Sequence, residues 1–402
     1  MPSLSTPPLG NNHADTHPNR KRFWRILAFF GVLALIAAGA FAVKAGFVFN
    51  KISLSEDGLF KNIAKSLPGA KDQLHGEENG RINILLLGMR GEGVAGGGLL
   101  ADTIIVVSLH PKDEKNPQDT TKASMVSIPR DLYVTVPNRS EKRKINAVYA
   151  LGEERGRGEG LKDMRKIVGE IAGIDIPYGV VINFKGFTDL VNALGGITVN
   201  LEAPFEESVQ FLGLEQRCDG IKYTIPSGNY EVKRVQRKNG TYYANPKRYP
   251  LCYAKINPET LECGGNFKLP AGENQLDGEK ALCYARARYT SSDFDRAKRQ
   301  QTVIDAIKAK ALSAGTLADF GKINALMDSL GNNVLINFET WEMKRLLELY
   351  QTNSSASVTH KVLENTEEGL LYAPTETKEA GYILLPRGDN YDRIRALFQS
   401  LP

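Results

Sequence analysis

Runs of apolar residues alternate with segments of helical periodicity along the middle of this chain. Residues 82–87, 103–109 and 124–128 are short, largely apolar runs, a pattern typical of strands that are buried on both faces. Residues 161–171 instead carry apolar side chains mostly three apart, which predicts an amphipathic helix. The alternation predicts an α/β fold in which a mixed central β-sheet is flanked by helices on both faces.

The same reasoning assigns further elements toward the C-terminus. Strands are predicted at 178–184 and 197–201, and Gly195 and Gly196 are expected to end the helix between them. The predicted helices of this part comprise residues 187–194, 276–284, 293–312 and 392–401. We therefore expect one domain at 81–330 and a C-terminal extension at 331–402 that packs on it.

An uncharged apolar segment lies near the N-terminus. Four basic residues at 20–25 precede an uncharged run at 26–43, and apolar residues continue beyond it. A run of this length crosses a bilayer core of roughly 30 Å as a helix, and the basic flank keeps the N-terminus cytoplasmic. The predicted order is a cytoplasmic tail at 1–25, a single transmembrane anchor at 26–49, a linker at 50–80 and a domain outside the cell membrane. A signal peptide cleaved after the small residues 38–40 is the alternative, and the length of the apolar run favours the anchor.

Two arginines stand in a segment predicted to be extended. If residues 285–289 form a strand-like segment, the period of two places Arg286 and Arg288 on one face. If the helix begins at Asp293, Arg296, Arg299 and Gln300 share one of its faces.

Convergence of these guanidinium groups favours an anionic guest such as a pyrophosphate. Arginine presents planar, permanently charged donors that match phosphate oxygens. A surface helix with ordinary ion pairs is the alternative interpretation.

Four cysteines, Cys218, Cys252, Cys263 and Cys283, lie in the part predicted to be extracytoplasmic, where disulfides persist. Three complete pairings are possible, and the sequence does not choose among them. Because its neighbours are apolar, Cys283 is alternatively a buried free thiol.

Residues 203–270 interrupt the alternating pattern and are interpreted as an insertion. Between 217 and 255, nine lysines and arginines stand against two acidic residues, with six tyrosines among them. Asn239-Gly240 between β-prone runs predicts a hairpin with a type I′ turn. Two interpretations remain open: a ribbon that grips an anionic glycan or lipid headgroups, and a solvated loop clamped by disulfides.

Seven short motifs follow one another between about 81 and 312, outside the insertion. They lie at 83–88, 102–103, 127–134, 144–149, 194–197, 276–282 and 285–300. Together they resemble the LytR-CpsA-Psr family of membrane-anchored phosphotransferases. The resemblance implies transfer of a glycan polymer from a polyprenyl-pyrophosphate carrier to a cell-wall acceptor, usually a peptidoglycan hydroxyl, with Mg²⁺ or Mn²⁺ as cofactor.

The resemblance also assigns residues. Cleavage of a polyprenyl pyrophosphate concentrates negative charge on the bridging oxygen and the leaving phosphate, so the site must position and neutralise it. The implied pyrophosphate contacts are Arg130, Lys144, Asn146, Arg286, Arg288, Arg296 and Gln300. Asp102 matches the family carboxylate that holds the metal or activates the acceptor hydroxyl, and with Arg130 it is the implied catalytic pair. For Asp131, a direct role and a turn or capping role are equally expected.

One motif departs from the family pattern. The family usually carries Gly-x-Asp-x-Arg after the first strand, whereas residues 88–92 read Gly-Met-Arg-Gly-Glu. Arg90 therefore stands at the acidic position and Glu92 at the basic one. We expect either that Glu92 joins Asp102 as a metal carboxylate, or that the glycine-rich loop binds phosphate through its amides and Arg90.

Two functions of different classes follow. The first is the phosphotransferase, whose partners are the carrier-linked glycan, peptidoglycan or another wall acceptor, and the membrane. The second is a non-catalytic, membrane-tethered binder of polyprenyl phosphates or anionic wall polymer. Nucleic acid is disfavoured as a partner, because the net charge of +5 is small for 402 residues and the basic residues lie outside the membrane. Apolar side chains between 180 and 190 either line a lipid slot or form ordinary core.

Overall fold

The computed structural model describes residues 73–93, 98–112, 120–207, 209–212, 215–234, 236–238, 240–242, 245–254, 262–311, 331, 333–339, 341–342, 345–346, 349, 357–375 and 381–402. The predicted cytoplasmic tail and anchor at 1–49 lie outside these ranges, as does the linker up to residue 72. Among the helices within these ranges, none is both long enough and apolar enough to span a bilayer.

Strands and helices alternate through much of the described chain. The strands are β1 (Ile82–Met89), β2 (Thr103–His110), β3 (Lys122–Ser127), β4 (Tyr133–Thr135), β5 (Lys142–Lys144), β6 (Tyr178–Asn183), β7 (Ile197–Leu201), β8 (Phe205–Glu207), β9 (Gln216–Arg217), β10 (Tyr223–Lys233), β11 (Lys247–Ala254), β12 (Phe267–Leu269), β13 (Gly272–Leu276), β14 (Val334–Ile336), β15 (Ser357–Val362), β16 (Leu371–Tyr372) and β17 (Leu385–Pro386). The α-helices are α1 (Asn146–Glu153), α2 (Glu159–Ala172), α3 (Phe184–Ala193), α4 (Val209–Leu212), α5 (Gly278–Arg286), α6 (Asp293–Ala311) and α7 (Asp392–Ser400).

Six strands form the central sheet in the order β14-β6-β1-β2-β3-β15. β1 is antiparallel to β2 and parallel to β6, and β3 is parallel to β15. The predicted mixed α/β fold is therefore confirmed. Its four inner strands, β6, β1, β2 and β3, fall within two residues of the predicted boundaries, whereas the edge strands β14 and β15 were not predicted.

Alternate residues of β1 point into two different cores. Leu85 and Leu87 belong to the core that also contains residues of α1, α2 and α7. Ile82 and Ile84 belong to a core on the other face. α6 approaches the sheet at β3 and β15, where the buried Gln301 side chain donates to Ser127 Oγ at 2.9 Å and to the Lys361 carbonyl oxygen at 2.9 Å.

The start of one predicted helix is wrong. Leu276 was expected to be helical, but it ends β13, paired with Ile197 of β7. Asp277 then caps α5, because its side chain accepts a hydrogen bond from the Lys280 amide at 2.8 Å. Short β-sheet pairing thus replaces the first turn that the apolar spacing predicts.

The last part of the chain completes the sheet. Residues 331–402, predicted to be an extension, contribute both edge strands, β14 and β15. α7 follows, and its buried Phe398 packs in the core beneath the sheet. The segment therefore contributes to the central sheet and its core as well as packing beside them.

The insertion contains a three-stranded sheet in the order β10-β11-β9. The predicted turn exists in part: the Arg237 amide donates to the Thr241 carbonyl oxygen at 2.6 Å. The longer paired strands, however, are β10 and β11, which enclose that turn. Glu231 pairs with both Arg217 and Lys233, so some basic side chains of the ribbon are neutralised within it. This favours the solvated, disulfide-clamped interpretation of the ribbon.

Two disulfides join the cysteines. Cys218 is bonded to Cys252 within the ribbon, and Cys263 is bonded to Cys283 of α5. The alternative of a free thiol at Cys283 is therefore wrong. Its burial reflects packing of the disulfide beneath α5, next to Tyr284.

Removal of the Cys263–Cys283 bond is expected to destabilise the domain. We expect the double substitution Cys263→Ser, Cys283→Ser to lower the free energy of unfolding by about 2–4 kcal/mol, because the bond constrains the unfolded chain. Urea unfolding followed by circular dichroism measures this change. The variant Cys218→Ser, Cys252→Ser opens a longer loop and serves as the comparison. A loss below about 0.5 kcal/mol in both variants would contradict a stabilising role.

Candidate active site

A cavity lies beyond the ends of the inner strands of the central sheet. β1 and β3 end there and β2 begins there, since Gly88 pairs with Thr103 and Ile105 with Ser127. A Cβ atom on Gly88 would lie 2.9 Å from Thr103 Cβ, so this approach of the strands requires glycine. This cavity, which we call the arginine cavity, has a volume of about 220 Å³. Its polar lining residues are Asp102, Thr103, Ser127, Arg130, Asp131, Ser292, Asp293, Arg296, Gln300 and Tyr382.

Arg130 is the central cation of this cavity. Its Nη1 donates to Asp102 Oδ1 at 2.9 Å, and its Nη2 lies 3.9 Å from Asp293 Oδ2. Burial alone would lower the pKa of Arg130, but the charge and hydrogen bond of Asp102, followed by the charges of Asp293 and Asp131, raise it. Within the described residues, Arg130 Nε is buried without a hydrogen-bond partner, although Asp131 Oδ2 lies 3.5 Å away. A donor is thus available for a further acceptor.

Arg296 is a second, more deeply buried cation of the same cavity. It lies in the first turn of α6, only 8% exposed, and its Nη1 contacts Asp293 Oδ1 at 2.8 Å. Burial lowers the pKa of Arg296; the charge of Asp293 acts against this, while Arg130 and Arg288 lower it further. The ligand-free site thus leaves a buried cation whose charge the neighbouring carboxylates only partly compensate. An anion would supply the missing compensation.

Asp131 and Lys144 form an ion pair beside the cavity. Lys144 Nζ lies 2.7 Å from Asp131 Oδ1, so the predicted headgroup cation already has an anionic partner. The Asp131 carbonyl oxygen accepts from the Leu384 amide at 2.9 Å. The Asp131 side chain therefore lines the cavity and pairs with Lys144, and its contacts show no capping bond of the turn after Pro129 among the described residues.

Asn146 reaches the site through its backbone. It is the first residue of α1, its amide donates to the Arg130 carbonyl oxygen at 3.3 Å, and its carbonyl oxygen accepts from the Ala101 amide at 3.0 Å. These bonds fix Arg130 and the residue before Asp102 relative to each other. The structure does not place Asn146 among the residues that line the cavity.

Arg286 and Arg288 are not on one extended segment, and that prediction is wrong. α5 continues through Arg286, whose guanidinium carbon lies 4.5 Å from the centre of the Phe184 ring. Arg288 follows the end of the helix, and its guanidinium carbon lies 5.0 Å from the Tyr289 ring centre. The helical propensity of Ala281 to Ala285 carries α5 beyond the predicted end. Neither arginine is among the residues that line the cavity, although the charge of Arg288 contributes to lowering the pKa of Arg296.

Arg299 and Gln300, adjacent on α6, point to different surroundings. Gln300 lines the cavity and its Nε2 lies 3.4 Å from the Ala285 carbonyl oxygen. Arg299 is buried, and its guanidinium donates to the carbonyl oxygens of Tyr284, in the last turn of α5, and of Ala287, just after that helix. The predicted common face thus contains Arg296 and Gln300, whereas Arg299 makes hydrogen bonds to the loop between α5 and α6.

Glu92 and Asp102 line different cavities. Glu92 belongs to a cavity of about 800 Å³ that also contains Tyr149, Glu153 and Asn183. Asp102 belongs to the arginine cavity. The other carboxylates beside Arg130 are instead Asp131, at 3.5 Å, and Asp293, at 3.9 Å, and within the described residues Asp293 has no ion pair with Lys144. The position of Asp293 three residues before Arg296 was a usable signal, since residues i and i+3 of a helix are neighbours.

The carboxylates of the arginine cavity suit a hydrated divalent cation only in part. Within the described ranges, no group of three or more His, Cys, Asp or Glu side chains is arranged to hold a metal. Mg²⁺, however, commonly takes one or two carboxylates and completes its shell with water and substrate phosphates. Asp102 and Asp293 provide oxygen donors of the right chemistry in one cavity.

Tyr382 is a site residue that local sequence patterns do not indicate. It lies about seventy residues beyond the end of α6, is 40% exposed, and lines the arginine cavity. Burial, followed by the charges of Asp131 and Asp293, raises the pKa of its hydroxyl. Its oxygen accepts from Asn365 Nδ2 at 3.2 Å. Only the pairing of the C-terminal segment with the 131–133 turn brings it here.

Residues 59–384 match the sequence model of the LytR_cpsA_psr family. The chain belongs to that family. Among LytR_cpsA_psr relatives, the polyisoprenyl-teichoic acid–peptidoglycan teichoic acid transferase TagV of Bacillus subtilis strain 168 is 26% identical over 384 residues, covering 94% of this chain and 79% of TagV. The cell wall biosynthesis protein LcpA of Corynebacterium glutamicum is 28% identical over 357 residues, covering 86% of this chain and 60% of LcpA.

Solved structures of LytR_cpsA_psr proteins share the fold. The crystal structure of B. subtilis TagV has a TM-score of 0.50 and 25% identity, covering 79% of this chain and 96% of that one. The structure of TagT bound to LIIa-WTA has a TM-score of 0.51 and 22% identity, covering 83% of this chain and 94% of TagT. The mixed sheet and its helices are therefore a family feature.

Proposed function

We propose that this protein is a glycopolymer phosphotransferase that acts on a polyprenyl-pyrophosphate-linked glycan. The observation that carries the proposal is the pair of guanidinium groups, partly buried Arg130 and buried Arg296, in one cavity with the Asp102 carboxylate. Cations kept out of water beside an unpartnered donor favour a multiply charged anion. The TagV and TagU relatives are named as teichoic acid transferases, which supports this class of substrate.

The reaction forms one phosphorus–oxygen bond and breaks another. The acceptor hydroxyl oxygen attacks the phosphorus that carries the glycan, and the bond to the bridging oxygen breaks. Asp102 takes the hydroxyl proton, and polyprenyl phosphate leaves with the bridging oxygen. Arg130, Arg288 and Arg296 neutralise the charge that develops on the phosphates, which is the main task in phosphoryl transfer.

A divalent cation fits the same arrangement. Asp102 would hold it, with Asp293 as the second carboxylate of the cavity, and Glu92 would take no part because it lines another cavity. When bound, Mg²⁺ or Mn²⁺ supplies further neutralisation of phosphate charge. A carboxylate that holds the metal is a weaker proton acceptor. Whether the release of polyprenyl phosphate requires added metal therefore distinguishes Asp102 as a metal ligand from Asp102 as a general base.

The test of the proposed function is a product assay. The purified full-length chain in detergent is incubated with a polyprenyl-pyrophosphate glycan, a peptidoglycan fragment and Mg²⁺, and released polyprenyl phosphate is measured. We expect release that depends on both the acceptor and the carrier-linked glycan. Binding of the carrier without release under all metal conditions would instead establish the tethered binder. One feature favours that second function: Asp102 is already ion-paired with Arg130.

We further propose that a transmembrane anchor attaches the domain to the cell membrane, with the domain on the extracytoplasmic side. Support comes from the basic residues at 20–25 and the uncharged run that follows them. A phosphatase reporter fused after Pro402 should be active, whereas a reporter that works only in the cytoplasm should be silent at the same position. Activity of the cytoplasmic reporter would contradict both the topology and a role in cell-wall chemistry.

A further inference from the structure

Arg288 lies in a short loop between α5 and α6 whose backbone is held by side chains from elsewhere. The loop, residues 287–292, leaves α5 after Arg286 and precedes α6 at Asp293. Its amides at Arg288 and Thr290 donate to side-chain oxygens of the segment after β8 and of β8 itself. The backbone position from which the Arg288 side chain extends is therefore set by residues about eighty positions earlier.

Glu207 is the central acceptor of this arrangement. Its side chain is completely buried, with 0% exposure. One carboxylate oxygen accepts from the Gln210 amide at 3.1 Å. The other accepts from the Thr290 amide at 3.0 Å and lies 3.2 Å from the Thr290 hydroxyl. A fully buried carboxylate is costly unless such bonds compensate it, so these contacts fix its geometry.

Gln210 and Arg299 complete the clamp. Gln210 Oε1 accepts from the Arg288 amide at 3.0 Å. From the other side, the Arg299 guanidinium donates to the Tyr284 carbonyl oxygen at 3.2 Å, to the Ala287 carbonyl oxygen, and to Ser291 Oγ at 3.1 Å. We call Glu207, Gln210 and Arg299 the loop clamp.

Charge links the two sides of the loop clamp. Burial lowers the pKa of Arg299, and the negative charges of Asp295 and Glu207 act against this. Neutralising Glu207 would therefore leave a buried guanidinium with less compensation. The loop would lose an acceptor on one side and electrostatic support on the other.

We propose that Glu207 is a positioning residue that holds Arg288 in the orientation required to bind the pyrophosphate. The inference rests on the proposed function and adds a residue to it. Its physical basis is preorganisation: a cation fixed before the anion arrives loses less conformational freedom on binding. Glu207 contacts neither the cavity nor the anion; it acts through the 287–292 backbone.

The test is a double-mutant cycle on the full-length chain in detergent, with inorganic pyrophosphate as the probe in calorimetry. Glu207→Gln keeps the side-chain shape and removes the charge and one acceptor. We expect it to weaken pyrophosphate binding by about tenfold in the parent and by less than about twofold in the Arg288→Ala background. Arg288→Ala alone should weaken binding by roughly ten- to a hundredfold.

Two further variants separate positioning from general stability. Glu342 is another buried carboxylate, which accepts from the Tyr178 hydroxyl and the Glu339 amide in a different core. Glu342→Gln should lower the melting temperature but leave pyrophosphate affinity unchanged. If Glu207→Gln does not fold, Thr290→Val removes one partner of the clamp, and a weakening of about threefold is expected, again only when Arg288 is present.

The outcomes distinguish the inference from the proposed function. If Arg288→Ala leaves pyrophosphate affinity unchanged while Arg130→Ala weakens it, Arg288 is not a pyrophosphate contact and the inference fails, whereas the proposed function stands; unchanged affinity in both variants would overturn the proposed function as well. If Arg288→Ala weakens binding but the Glu207 effect is absent, is additive with it, or equals that of Glu342→Gln, the arginine site stands and the positioning role of Glu207 is overturned.

Discussion

Replacement of Asp102 by asparagine is expected to slow the release of polyprenyl phosphate by a factor of about 10² to 10⁴, the usual contribution of a positioned general base. Asparagine keeps the shape of the side chain but cannot take the acceptor proton. Pyrophosphate affinity should be retained or increased, because the carboxylate 2.9 Å from Arg130 no longer competes for that guanidinium. Single-turnover release at saturating substrate and calorimetry with pyrophosphate measure the two quantities separately.

Glu92→Gln is the matched control for Asp102→Asn. It removes the same charge at a residue that lines the other cavity. We expect neither the rate nor the Mg²⁺ concentration required for half-maximal rate to change by more than about twofold, well below the general-base effect. Unchanged release in Asp102→Asn would exclude the base and metal roles of this carboxylate and favour the tethered binder.

Replacement of Arg130 by alanine is expected to have the largest effect on binding. One charge-assisted hydrogen bond is typically worth about 1.5–3 kcal/mol, and the change also leaves Asp102, Asp131 and Asp293 with less positive charge to balance them. We therefore expect pyrophosphate affinity to fall by about a hundredfold or more. The pyrophosphate affinity of Arg130→Lys should lie between those of the parent and the alanine variant, because lysine keeps the charge but lacks the planar guanidinium group.

Arg139→Ala provides the comparison for Arg130→Ala. Arg139 is also ion-paired, with Glu141 and Glu154, but it does not line the arginine cavity. Its replacement should leave pyrophosphate affinity unchanged. Equal losses in the two alanine variants would mean that Arg130 acts through the net charge of the protein and not as a direct contact.

The main fold was predictable because its signals are local. The apolar runs of β1 and β2 are nearly continuous and lack the three-to-four-residue spacing of an amphipathic helix. Both strands are where this pattern predicts them. The helix at 276–284 was misplaced by two residues at its start, because pairing of Leu276 with Ile197 depends on a distant segment. Nothing near Leu276 in the sequence specifies that partner.

The site was predictable to the extent that family motifs cover it. Arg130, Arg296 and Asp102 lie together in one cavity, and each stands in a short motif. Tyr382 and Glu207 reach the site or its supporting loop through tertiary contacts that no periodicity encodes. The common face expected for Arg286 and Arg288 failed for a different reason: helix α5 extends further than the two-residue alternation implies.

The position of β14 and β15 at opposite edges of the sheet has a consequence for the order in which the domain can form. β6 pairs with β14, which lies about 150 residues later in the chain, and β3 pairs with β15, which lies about 230 residues later. Contacts of such long sequence separation close large loops and slow folding. If the domain is exported across the membrane, as proposed above, both sheet edges stay open until nearly the whole sequence has crossed. In that interval they can pair with other chains. Chaperone dependence during export is therefore expected to be greatest just before β15 is delivered.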